Sequence, residues 1–217
     1  MRKLRVYLDT SVISHLDQQD NPEYMQVTKE FWEEVKKGKY DIYISDAVAT
    51  ELDECPEPKK SKLFKYLNGI EYEKIVIDEQ VMELAEKYIA EGIIPAKYSG
   101  HAIHIAAASV KDCEILVSWN FKHIVKVKTI QGVNGINKLM GYREIQLVSP
   151  LMMLEEEVID RFETSDMKEL HEIREKIYEE TKNMTRKEFI EYIHKKAEKA
   201  EEEMRKLREK AKKEVIQ

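Results

Sequence analysis

Short apolar runs alternate along the first two thirds of the chain with longer stretches in which apolar residues return every three or four positions. The runs at residues 5–9, 41–45, 74–77, 114–118 and 144–148 have the length and the β-branched or aromatic content of strands. Between them, residues 23–37, 47–54, 78–91 and 101–111 keep a helical period. Regular alternation of this kind implies βαβ units. The expected fold class is therefore α/β, a mostly parallel sheet flanked by helices, with ligands bound at the carboxyl edge of the strands.

After Pro150 the pattern changes. Residues 151–217 hold 35 charged residues in 67, with no Gly and no Pro, and lack any further strand-like run. Asp166-x-x-Glu169 and Thr185-x-x-Glu188 have the form of capping boxes that open two helices. Along the second, Ile190, Ile193, Ala197, Ala200, Met204, Leu207 and Ala211 recur at steps of three and four, a narrow seam suited to a groove or to another helix. The expected organisation is a domain over residues 1–150, a connector over 151–166 and an α-helical extension over 167–217. The extension has no core of its own. Its seam is expected to pack on a domain of the first kind, in the same chain or in a neighbour, and a possible homo-oligomer follows from the second case.

Composition changes this picture little and excludes some functions. At 217 residues the chain is long enough to bury a proper core. Its most apolar stretch, residues 102–110, is too short to span a bilayer, and Cys55 and Cys113 lack metal-ligand spacing and read as reduced thiols, so a cytoplasmic protein without a membrane partner is expected. Residues 1–150 hold 20 Lys and Arg against 23 Asp and Glu, and residues 151–217 hold 16 against 19, so each part is at minus 3 and the chain at minus 6. Any contact with nucleic acid must then come from local positive charge. Lys59, Lys60, Lys62 and Lys65 form one candidate cluster and Lys122, Lys126 and Lys128 another; either can equally be a solvated face.

Asp9-Thr10-Ser11 ends the first apolar run, and Glu51 lies 42 positions on. Two acids brought to one sheet edge suit a hard divalent cation, which takes oxygen ligands and orients a phosphate for hydrolysis. The plainer reading of Asp-Thr-Ser after a strand is a helix N-cap, and Ser11 is assigned that place. Within a metal site its hydroxyl or amide would also reach a bound water.

The opening Leu8-Asp9-Thr10-Ser11, the helix that carries Glu51, the stretch Gly100-His101-Ala102-Ile103-His104-Ile105-Ala106 and the strand that ends in Ser118-Trp119-Asn120 together resemble the PIN-domain family. The likeness is greatest to the nuclease toxins of VapC-like toxin-antitoxin pairs, and it covers about residues 4–150. It implies a PIN-like sheet flanked by helices and cleavage of single-stranded RNA with Mg²⁺ or Mn²⁺ held by three or four acids. Asp9 and Glu51 match two of these. The third acid falls on His101 and the fourth on Asn120. Imidazole is a softer ligand than carboxylate, better suited to Mn²⁺, Zn²⁺ or Ni²⁺ than to Mg²⁺. The resemblance thus implies a site of Asp9, Glu51, His101 and Asn120, with the first three on the metal and Asn120 orienting its water. Ser11, Lys122 and His123 are the candidate RNA contacts.

His104 is read as a hydrogen-bonded core group and His123 as a helix cap or an RNA contact, the cap being favoured. Trp119, Tyr43 and Tyr98 are able to stack on bases or simply to pack. Residues 167–181, with Met184-Thr185 following, resemble small antitoxin-like proteins that accompany PIN-domain toxins. The expected function is a metal-dependent RNA endonuclease toxin of a toxin-antitoxin system, fused to an antitoxin-like segment and weakened at His101. The alternative is a catalytically inactive PIN-like module for RNA binding, autoregulation or assembly, with a helical dimerisation arm.

Overall fold

The computed structural model describes residues 2–154 and 165–214, and in the latter stretch the side chains of 172–199 and 201–206. The chain divides into two compact units, Met1–Phe162 and Glu163–Gln217. The Asp166-x-x-Glu169 box and the seam positions Ala200, Leu207 and Ala211 lie outside the described side chains.

The first unit is built on five parallel strands. β1 (Leu4–Leu8), β2 (Tyr40–Ser45), β3 (Glu73–Ile75), β4 (Ile115–Val117) and β5 (Gln146–Val148) lie in the order β3-β2-β1-β4-β5. Helices cover the sheet, so its central strands are buried on both faces and read as continuous apolar runs rather than alternating ones. Val6, Tyr7 and Leu8 of β1 and Leu116 and Val117 of β4 are fully buried. The register pairs Leu8 with Val117 and, on the other side, Tyr7 with Tyr43. The chain builds outward from β1 through β2 to β3, then returns to lay β4 on the opposite side of β1. That reversal opens a crevice between the carboxyl ends of β1 and β4.

Among the described residues of this unit seven α-helices join the strands: α1 (Thr10–Ser14), α2 (Pro22–Lys36), α3 (Asp46–Asp53), α4 (Lys59–Leu67), α5 (Glu79–Ala90), α6 (Ser99–Val110) and α7 (Val127–Met140). Asn21 starts α2 by accepting the Tyr24 N–H, with Pro22 in the first turn where its missing N–H costs nothing. Asp78 caps α5 by accepting from Val81 at 3.0 Å. The apolar residues Val81, Leu84, Ala85 and Tyr88 then face inward at helical spacing. α6 is apolar nearly all round and packs beside α5. Helices α4 and α7 lie where no helix is expected from the pattern. In α4 only Leu63 and Leu67 are fully inward, and α7 carries Gly132 and Gly135. Gly132 has a packing reason, since a Cβ there would lie 2.9 Å from Ile93 Cγ1.

The second unit contains α8 (Ser165–Thr181) and α9 (Arg186–Glu214). The box at its centre forms as expected: Glu188 Oε2 accepts from the Thr185 N–H at 2.7 Å, and the Glu188 N–H donates to Thr185 Oγ1 at 3.4 Å. Tyr192 donates to Glu180 at 2.6 Å, which ties the start of α9 to the end of α8. The unit's own residues leave Ile173, Phe189, Ile190, Ile193 and Met204 more than two fifths exposed. Among the described residues no helix is long and apolar enough to cross a membrane.

Candidate functional site

The carboxyl edge of the sheet gathers residues from four elements. Asp9 follows β1, Ser118 follows β4, Glu51 lies on α3 and His104 on α6. Asp9 is 4% exposed although charged, and it is held by hydroxyls: Ser11 Oγ and Ser118 Oγ both donate to its Oδ2, at 2.5 and 2.6 Å. Ser11 is therefore not the helix cap. Asp9 itself holds the N-cap position of α1, its backbone carbonyl accepting from Val12, while the Ser11 hydroxyl turns back onto the carboxylate. Ser11 Oγ also accepts from the Trp119 N–H at 3.0 Å, which links the ends of β1 and β4.

His104 occupies the space between the two acids. Its Nε2 is 3.3 Å from Glu51 Oε2 and 3.6 Å from Asp9 Oδ1, and its Nδ1 is 2.7 Å from the Tyr7 hydroxyl. Tyr7 in turn is 2.6 Å from Ser45 Oγ. This buried chain serves both states of the ring. With a neutral ring Tyr7 donates to Nδ1 and accepts a hydrogen bond from the Ser45 hydroxyl; with a charged ring Nδ1–H donates to Tyr7, which donates to Ser45. Burial pulls the His104 pKa down, but the Glu51 hydrogen bond and the charges of Asp9 and Glu51 outweigh it and hold the ring above its ordinary value. Partial burial raises Glu51, while His104, Thr10 and His101 together bring it below its usual value. Thr10 Oγ1 donates to Glu51 Oε2. The reading of His104 as a hydrogen-bonded core group holds, since the ring is 1% exposed, yet its second nitrogen faces the carboxylates. The i, i+3 relation to His101 is the sequence signal that could have placed it there.

His101 and Asn120 face each other instead. Asn120 Oδ1 accepts the His123 N–H at 2.9 Å, which orients the amide so that Nδ2 donates to His101 Nε2 at 2.8 Å. The His101 lone pair is used in that bond, and partial burial leads the forces that keep the ring below its ordinary pKa. His123 caps no helix; α7 begins at Val127, and the His123 ring stacks on Tyr98 with centroids 3.8 Å apart. Tyr43 is buried in β2 and donates to Glu73, so it packs. The cysteines are free thiols.

The donor chemistry tests whether a divalent cation suits this edge. Two carboxylates from separate elements converge on one positively biased group, the place a cation would take, and hydroxyls stand around them. Among the described residues no group of three or more His, Cys, Asp or Glu is arranged to hold a metal. Asp9 and Glu51 fit a hard cation as a pair; the expected set with His101 as third ligand is not assembled, because His101 is engaged by Asn120.

No protein-family model and no curated protein matches the chain. A solved structure of VapBC2 from Rickettsia felis bound to a DNA fragment from their promoter is similar to it at 16% identity and a TM-score of 0.44, covering 67% of this chain and 98% of that one. A likeness at that level leaves the functional reading to the site itself.

Proposed function

We propose that the chain is a PIN-like, metal-dependent RNA endonuclease of toxin type, weakened at its third ligand position and carrying an antitoxin-like helical segment in the same polypeptide. The observation that supports it is the meeting of Asp9 and Glu51, 42 residues apart, within 3.6 and 3.3 Å of one imidazole nitrogen in the crevice between β1 and β4. Asp9 and Glu51 would hold Mg²⁺ or Mn²⁺, which when bound supplies activation of water and neutralisation of phosphate charge. Ser11 and Ser118 fix one Asp9 oxygen and leave Oδ1 for that task. Thr10 orients Glu51, and the Tyr7–Ser45 chain stores or returns a proton at His104 Nδ1. The antitoxin-like assignment of the tail draws on its exposed seam and its formed capping box.

A second reading is favoured by two specific contacts. With His101 bound to Asn120 and the charge of the acid pair met by His104, the body can serve as a non-catalytic RNA-binding or assembly module. RNA cleavage assays in Mg²⁺ and in Mn²⁺ separate the two. The chain as it stands is expected to cleave weakly, His101→Asp to gain at least tenfold, and Asp9→Asn to abolish the gain. If His101→Asp cleaves no RNA with either metal, the nuclease reading is wrong and the module reading stands.

A further inference from the structure

The apolar seam of α9 stays open within the second unit. Ile190, Ile193 and Met204 are more than two fifths exposed with α8 in place. Glu180 at the end of α8 accepts from Tyr192 at 2.6 Å and lies 3.8 Å from Lys196 Nζ, which sets α8 against one flank of the seam rather than on it. A row of apolar side chains left in water along a helix is a cost that a partner helix removes.

The period of the seam says what kind of surface covers it. Ile190, Ala197, Met204 and Ala211 recur every seven residues, and Ile193, Ala200 and Leu207 form a second series with the same repeat. A seven-residue repeat drifts slowly around a helix of about 3.6 residues per turn, and left-handed winding on another helix keeps it in contact throughout. Packing on a globular body calls for a wider stripe. Three heptads with charged flanks are enough for helix to wind on helix.

The flanks say which helix. Lys196 and Glu203 come one position before members of the first series, and Glu201 and Arg208 one position after members of the second. In two parallel helices in register, each residue of the first kind faces the residue five positions on in the partner. Lys196 then meets Glu201 and Glu203 meets Arg208, two pairs of opposite sign that symmetry doubles to four. The antiparallel alignment that sets Ile193 on Met204 and Ile190 on Leu207 brings Lys187 onto Arg208 at both ends. Within the chain, Glu203 has Lys199 at 3.9 Å, yet the Lys196 and Glu203 side chains remain more than three fifths exposed and accessible to a second helix.

We propose that α9 pairs with α9 of a second copy of this chain as a parallel, in-register, two-stranded coiled coil, its orientation set by Lys196 on Glu201 and Glu203 on Arg208 across the seam. The surface is self-complementary, as a two-fold interface requires. Ala197 and Ala200 fill the middle layers, where little apolar area is gained, so the Lys196–Glu201 pair beside them carries the choice of orientation. The inference does not depend on reading Asp9 and Glu51 as a phosphodiester site. It gives the seam a different partner from the domain expected to cover it.

The test combines disulfide trapping with sedimentation equilibrium, both on the full chain. In a Cys55→Ser background, Met204→Cys meets its own counterpart across a parallel pair and is expected to give a covalent dimer on mild oxidation, whereas Lys206→Cys, on the outer face, is not. By sedimentation, Lys196→Glu should weaken self-association about tenfold, and Lys196→Glu with Glu201→Lys should restore it. Ile190→Glu with Ile193→Glu should abolish the pairing; both residues are exposed in their own unit, so the chain stays folded. Self-association unchanged in that double variant, or no covalent dimer from Met204→Cys, overturns the proposal and leaves the acid-pair reading intact. Restoration by Glu203→Lys in place of Glu201→Lys overturns it too, since in the antiparallel alignment Lys196 meets Glu203.

Discussion

Two polar networks meet the same helix, α6, one near its end and one at its middle, and use nearly the same parts, yet one is neutral and the other includes carboxylates. Near the end of α6, Ser109 joins Tyr88 of α5 and Asn137 of α7. Tyr88 donates to Asn137 Oδ1, and Asn137 Nδ2 donates to Ser109 at 3.0 Å and to the Arg143 carbonyl at 3.1 Å. Every group there is satisfied within the protein, and Asn137 is fully buried. At the middle of α6, His104 joins Tyr7 and Ser45 in the same manner, but its other nitrogen faces two acids, and the Glu51 side chain remains 45% exposed. The difference separates a network that closes on itself from one that opens onto two carboxylates. A closed neutral network returns its desolvation cost in hydrogen bonds, whereas a buried charge beside an open carboxylate is retained at a cost that chemistry has to justify.

The comparison is broken most directly at Asn137. Asn137→Ala removes a filled volume and leaves Tyr88, Ser109 and the Arg143 carbonyl without partners, so it should cost about 3 kcal/mol in denaturant unfolding. A loss below about 1 kcal/mol would show that water or rearrangement closes the gap and that the network is not structural. Tyr88→Phe should cost about 1.5 kcal/mol by orphaning Asn137 Oδ1. This cost should also be flat from about pH 5 to 8.5, because burial, the leading cause, pushes the Tyr88 hydroxyl well above its ordinary value and clear of that range.

Glu51→Gln sharpens the contrast with a smaller and pH-dependent effect, about 1 kcal/mol once the exposure of Glu51 is allowed for. His104 is raised in the folded state, so its contribution is full below the ordinary imidazole value of 6.5 and is lost as pH rises through the higher folded value. Glu51 is lowered, so its contribution is present above its ordinary 4.5 and is lost as pH falls through the lower folded value. The stability difference between Glu51→Gln and the native chain in EDTA should therefore peak between about pH 4.5 and 6.5 and shrink on either side. A profile as flat as that of Tyr88→Phe would remove the charged pairing from the account of this edge.

Much of the frame is readable in the residues themselves. The runs around Val6-Tyr7-Leu8 and Ile115-Leu116-Val117 become the central buried strands, and Asp78 and Asn21 stand where helices start. α4 and α7 are not readable in the same way. The inward residues of α4 are few among its lysines, and the glycines of α7 disfavour a helix until Ile93 is known to need the space at Gly132. Tyr7 carries no local mark of its place at this edge, since a tyrosine within a strand is ordinary, and Ser118 is marked only as a member of the Ser118-Trp119-Asn120 stretch.

The sequence by itself determined the α/β alternation, the change of character after Pro150, the capping box at Thr185 and the placement of Asp9 at the end of the first strand. Those features depend on local periodicity and on residues whose backbone preferences act within a few positions. Only the tertiary structure decided that His104 rather than His101 stands between Asp9 and Glu51, and that His101 gives its lone pair to Asn120. The reason is directional. Both histidines lie on α6 three residues apart, and which of them meets the acids depends on how that helix is rotated against the ends of β1 and β4. That rotation is set by packing along the whole of α6 against the sheet and α5, which no window of sequence contains.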